Sequence, residues 1–140
     1  MLVEPRNPSI FPIDSVVSDD FYGGKLAVKH LLALGHRSIA CIGTSEAYVT
    51  QLRFDGYRIA LNDAEIAYQP ELFVQVRSDL TVDEGRWAMQ QLLERGVKFS
   101  AVFCMQCSLA EQILSVGTLL SLFHLIRAGW LFYLRLTQCR

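Results

Sequence analysis

The sequence predicts an α/β fold built on a parallel sheet, and three observations carry that reading. Short strand-like runs alternate with segments of helical spacing, in the order strand, helix, strand, helix, strand, helix, strand. The strand runs are apolar throughout, as in sheets covered by helices on both faces. The chain's 140 residues are 51% hydrophobic, enough for one domain with a core but short for two.

Each element has a local reason. Ser15-Val16-Val17-Ser18 is a β-branched run leading through Asp19-Asp20 into a loop. From Gly23 to Leu34, the positions Leu26, Ala27, His30, Leu31 and Leu34 recur at helical spacing, and Gly35 supplies a stop. Ser38 to Gly43 reads as a buried strand, and Thr44 to Tyr48 as a polar loop. Helical spacing returns from about Thr50, a candidate N-cap, to Ala64, with Phe54, Tyr57 and Leu61 on one stripe. Leu72 to Val76 is another strand. Thr81 would cap a helix with Asp83 and Glu84 in its first turn, where the helix dipole favours acids, and Gly96 would end it. Ala101 to Cys104 is the next strand.

Composition narrows the function. Fourteen acids and thirteen bases leave a net charge of -1, which excludes the basic surface expected if the whole chain bound nucleic acid. The apolar and aromatic content excludes a disordered chain. The charge is unevenly spread: every acid lies at or before Glu111, and the last 29 residues carry only Arg127, Arg135 and Arg140. The N-terminus has no basic start and no apolar central run, so no signal peptide is expected. Cys41 and Cys104 fall in strands and Cys107 and Cys139 outside them, too sparse for a disulfide scaffold; the compartment expected is the cytosol. Cys104-Met105-Gln106-Cys107 matches C-x-x-C near a helix start, which leaves a small redox protein as the alternative function. No second ligand pair for a metal, nucleophile triad, paired-carboxylate motif or phosphate loop is present, so no enzyme, cofactor or metal is expected.

Two stretches resemble the lactose/galactose repressor (LacI/GalR) family of transcriptional regulators. One is Val17-Ser18-Asp19-Asp20 with Gly23-Gly24, continuing through Ala27 to His30-Leu31-Leu32-Ala33-Leu34-Gly35-His36-Arg37-Ser38-Ile39-Ala40. The other is Arg53-Phe54-Asp55-Gly56-Tyr57, and the likeness runs in register from about residue 2 to 104. The resemblance implies an incomplete periplasmic-binding-protein-like type I core, with effector bound between two subdomains. On that plan, residues 1–35 end the first subdomain, 36–104 form part of the second, and 105–140 are a divergent apolar tail. The helix-turn-helix head and hinge find no counterpart, so DNA would be reached only through a head domain absent from this chain. The partner implied is a small-molecule effector, a sugar or nucleobase, together with a second copy of the chain or an intact relative.

The resemblance also implies site residues. Arg53 would point into the cleft, where a planar guanidinium can donate two hydrogen bonds to neighbouring oxygens. Phe21 and Tyr22, in the loop after the first subdomain's last strand, would stack on a sugar or purine. Leu80 stands where relatives often carry a stacking aromatic and offers apolar contact only. Cys107, after Gln106, stands where the family has the aspartate of an Asn-Asp pair, and a thiol does not replace an ionised acceptor. His30 and His36 are expected to pack or cap. The tail from Ile113 to Leu134 holds one charge, Arg127. It is long enough to span a bilayer, but His124 and Arg127 near its middle oppose that. A buried helix pair, irregular structure, or translation out of the ancestral frame are the other readings.

Overall fold

The structure, a computed structural model, describes residues 18–77, 83–115, 123–128 and 131–136. Its elements are α1 (Asp20–Ala33), β1 (Ile39–Gly43), α2 (Tyr48–Asp63), a 3-10 turn (Pro70–Leu72), β2 (Phe73–Gln75), α3 (Glu84–Glu94), β3 (Ala101–Cys104), α4 (Cys107–Leu114), β4 (Phe123–Ala128) and β5 (Leu131–Leu136).

The sheet order is β2-β1-β3-β5-β4. β1 lies parallel between β2 and β3, with Ile42 opposite both Val74 and Cys104. β5 then adds antiparallel to β3, and β4 antiparallel to β5. The expected parallel α/β core is therefore present. The tail differs from both the helix-pair and the bilayer-spanning readings, because its described parts after α4 are two strands. Their aromatic and branched residues (Phe123, Ile126, Phe132, Tyr133) suit extended backbone, and β3 offers β5 an edge to pair with. No helix among the described residues is long and apolar enough to cross a membrane.

Alternation along the strands builds two cores. Ile39, Cys41, Ala101 and Phe103 face Ala27, Val28 and Leu31 of α1 and Phe54, Tyr57 and Leu61 of α2. Ala40, Ile42, Val102 and Cys104 face Ala88, Met89 and Leu92 of α3 and Leu109, Ala110 and Ile113 of α4. The buried Tyr57 hydroxyl donates to the Ile39 carbonyl at 2.9 Å. α1 thus shares its core with β1, β3 and α2. The boundary expected near residue 35 would cut through that core, so α1 packs with the segment that follows it.

The helix ends explain their own positions. Asp19 caps α1, its Oδ1 accepting from the Tyr22 N–H at 2.9 Å. Gly35, at φ +93°, closes α1 with His36 N–H donating to the Leu31 carbonyl. α1 therefore starts three residues earlier than Gly23, and Phe21 and Tyr22 lie in its first turn, not in a loop. α2 starts at Tyr48, before the expected Thr50, whose hydroxyl instead donates to the Ala47 carbonyl at 2.9 Å. The strand expected at 15–18 and the cap expected at Thr81 lie outside the described residues, save Ser18.

Candidate functional site

In a parallel sheet the strand ends converge on one edge, and the loops there can be shaped for ligands without disturbing the core. Here that edge gathers Gly43-Thr44 after β1, Gln75 at the end of β2 and Met105-Gln106-Cys107 after β3. Backbone hydrogen bonds from Met105 N–H to the Ile42 carbonyl and from Val76 N–H to the Gly43 carbonyl hold these ends together. Because α1 runs antiparallel to the strands, its N-terminus reaches the same edge.

Arg53, in the second turn of α2, is the organising group. Its Nε and Nη2 donate to Asp20 Oδ1 at 2.8 and 2.7 Å, and its Nη1 to the Met105 carbonyl at 2.6 Å. Ser18 Oγ donates to the other Asp20 oxygen at 2.9 Å. The guanidinium is thus committed to the chain's own oxygens. Around it, Thr44 Oγ1 accepts from Glu46 N–H at 3.2 Å, and Gln75 Nε2 donates to Glu46 Oε1 at 3.3 Å. Gln51 Nε2 donates to Asp55 Oδ1 at 3.0 Å.

Gln106 occupies the N-cap position of α4 without capping it, and its Oε1 is buried with no hydrogen-bond partner among the described residues. An unsatisfied buried acceptor costs about 1–3 kcal/mol, which a donor brought by a ligand would relieve. Cys107, the first residue of α4, is exposed beside it.

The expected site residues separate into groups. Arg53 and Cys107 stand on either side of the Met105-Gln106 turn. Phe21 lines a groove of about 650 Å³ with Asp55, Arg58, Asn62 and Tyr68, on the outer side of α2. Tyr22 is 58% exposed. Leu80 lies outside the described residues. A second pocket, of about 330 Å³, is lined by Gln75, Arg77, Asp83, Glu84 and Trp87. Asp20 is a partner that sequence reasoning misses, because no local pattern links it to Arg53. Trp87, half exposed, carried no motif.

The chemistry is unsuited to the redox alternative. A reactive thiol needs a lowered pKa and access. Cys104 is fully buried and burial pushes it up to about 12. The buried Cys41 is raised as well, first by burial and then by Cys104 nearby.

An open sheet covered by helices on both faces, with polar groups gathered at its strand ends, is the architecture of α/β units that bind ligands at that edge. The family model described as a periplasmic binding protein-like domain matches residues 28–122, and the chain belongs to that family. The match extends past Cys104, beyond the span over which the motifs carry the likeness. Its relatives are LacI-type regulators, as the motifs implied. The HTH-type transcriptional regulator DegA of Bacillus subtilis is 37% identical over 106 residues, 75% of this chain and 31% of that protein. The ribose operon repressor of Haemophilus influenzae is 36% identical over 98 residues, 69% of this chain and 29% of that protein. Among solved structures, a transcriptional regulator of the LacI family from Sanguibacter keddieii matches at TM-score 0.67 and 35% identity, covering 75% of this chain and 39% of that one. A LacI-family regulator from Enterococcus faecium with bound ribose matches at TM-score 0.61 and 28% identity, covering 73% and 37%. The chain spans about 30% of the length of the curated relatives it matches.

Proposed function

We propose that this chain is the small-molecule-sensing part of a LacI/GalR-type transcription regulator, working in the cytosol and binding a neutral polar effector, a sugar or nucleobase, at the C-terminal edge of its parallel strands. The observation that carries the reading is Gln106, whose buried oxygen has no donor among the described residues at the end of the central strand. A carboxamide offers an acceptor and donors without charge, matching hydroxyls or the amide-like edge of a base. The family's aspartate is replaced by Cys107, so charge is not the basis of recognition. Ribose in the Enterococcus faecium relative and the ribose repressor of Haemophilus influenzae support the sugar class.

Arg53 then acts by holding the turn, and reaches ligand only if it gives up a present partner. Tyr22 supplies apolar contact from the start of α1, Phe21 acts from the neighbouring groove, and Leu80 adds the apolar contact that the family resemblance implies. In relatives of this kind, effector shifts the balance between states of differing operator affinity. In this chain the effector would act through pairing with a second copy or an intact relative.

Calorimetric titration of the folded chain with monosaccharides and purine bases tests the reading. Binding by one of them, weakened about tenfold or more by Gln106→Leu, is the expected result. Absence of heat from the whole panel, or affinity indifferent to Gln106→Leu, would count against it.

A further inference from the structure

We propose that Ser18, Asp20, Arg53 and the Met105 carbonyl form a positioning relay that couples the segment entering α1 to the β3–α4 turn. Its link to ligand rests on the function proposed above; its existence as a relay rests on geometry alone.

Four parts of the fold meet in it. Ser18 belongs to the chain arriving at α1, Asp20 to the first turn of α1, Arg53 to α2, and Met105 to the end of β3. The contacts run continuously, from Ser18 Oγ to Asp20 Oδ2 at 2.9 Å, from Arg53 Nε and Nη2 to Asp20 Oδ1 at 2.8 and 2.7 Å, and from Arg53 Nη1 to the Met105 carbonyl at 2.6 Å. The guanidinium is rigid and planar, so a shift of Asp20 turns the whole fork and moves the donor held on Met105. A lysine in its place would be a point charge unable to hold both partners in a fixed relation.

A second observation shows the backbone built around this pair. A Cβ on Gly24 would collide with the backbone carbonyl of Arg53 itself, and one on Gly56 with the carbonyl of Phe21, the neighbour of Asp20. Two glycines thus bring α1 and α2 into contact where the pair sits. Asp20 is only 6% exposed and the Arg53 side chain 18%. At that burial, losing one partner strands a charge, so the two move together.

The residue the relay holds is the one before Gln106. Occupancy of the turn would therefore be felt at Ser18, where the chain enters the unit, and displacement at Ser18 would be felt at the turn.

Amide hydrogen exchange on the full chain tests the coupling, with Ser18→Ala, Asp20→Asn and Arg53→Lys compared to the native protein. Ser18→Ala removes one hydroxyl at an exposed position and leaves the fold intact. It is expected to speed exchange at residues 105–108 about threefold, and Arg53→Lys about tenfold, while α3 (84–94) stays unchanged in both. If residues 105–108 do not respond to Ser18→Ala, or α3 accelerates equally, the relay is overturned and the pair is a general staple. With D-ribose and hypoxanthine as probes, a binding probe is expected to slow exchange at residues 18–22 in the native chain and not in Arg53→Lys. If neither probe binds, the ligand reading suffers while the exchange of the unliganded variants still decides the relay.

Discussion

Arg53 shows how one side chain can organise the strand-end edge through contacts with its own chain. Its fork is filled by Asp20 and the Met105 carbonyl, and the acceptor left unmatched is Gln106, one residue further on. The cysteines make a second prediction. Buried Cys104, raised to about 12, should resist alkylation in the folded chain at pH 8, while exposed Cys107 reacts; peptide mapping after brief iodoacetamide treatment reads both. Rapid labelling of Cys104 without denaturant would contradict its place in the core. The same groups set an alkaline limit. Cys41 and Cys104 hold their protons more tightly folded than unfolded, so their contribution is complete below their ordinary value of 9.0 and declines above it, that of Cys104 being lost as pH rises toward about 12. Urea midpoints should therefore fall between pH 9 and 11, and Cys104→Ala should flatten that fall. At this level the sequence was partly informative. Arg53 was marked by its motif and Cys41 and Cys104 by their apolar runs, because both signals are local. Asp20 as partner of Arg53 was not, since 33 positions separate them and only packing of α1 on α2 brings them together.

The packing of α1 on α2 is the tightest feature of the fold, and it predicts its own sensitivity. Gly56→Ala places a methyl against the Phe21 carbonyl, which is backbone and cannot swing aside. A loss of about 1–3 kcal/mol is expected in chemical denaturation, and a change within about 0.5 kcal/mol would deny the close approach. The end of α2 offers the opposite change. Glu65 closes that helix at φ 57°, a conformation that costs a side chain about 1 kcal/mol, with Ile66 N–H donating to the Leu61 carbonyl. Glu65→Gly should raise stability by up to about 1 kcal/mol, read as a higher urea midpoint. Gly35 and Gly96 announced the same geometry at the ends of α1 and α3, whereas Glu65 gave no compositional sign of it. The starts of α1 and α2 were misplaced for a related reason. Asp19 caps α1 through its side chain, but α2 begins at Tyr48 after Ala47, which has no capping side chain, so nothing in the sequence marks that boundary.

The parallel strands and the helices on both faces were readable because each element buries a continuous stripe, and such stripes are written in the sequence. The two strands beyond α4 were not. An apolar run of that length fits a helix or a strand equally well, and the open edge of β3 is what selects the strand. The position of α1 was also a tertiary fact: its buried residues Ala27, Val28 and Leu31 complete the core over β1 and β3. The outcome is a unit whose strand ends, the N-terminus of α1 and the buried Gln106 oxygen, unmatched among the described residues, meet on one edge. The measurement that tests this most directly is a titration of the isotopically labelled chain with D-ribose and with hypoxanthine, followed by amide and side-chain carboxamide NMR shifts. The account predicts saturable shifts clustered at Thr44, Gln51, Gln75, Gln106 and Cys107, with the Gln106 carboxamide among the largest. Saturable shifts confined to the opposite end of the sheet, around Ser38 and Ser100, or no shifts with either compound, would contradict it.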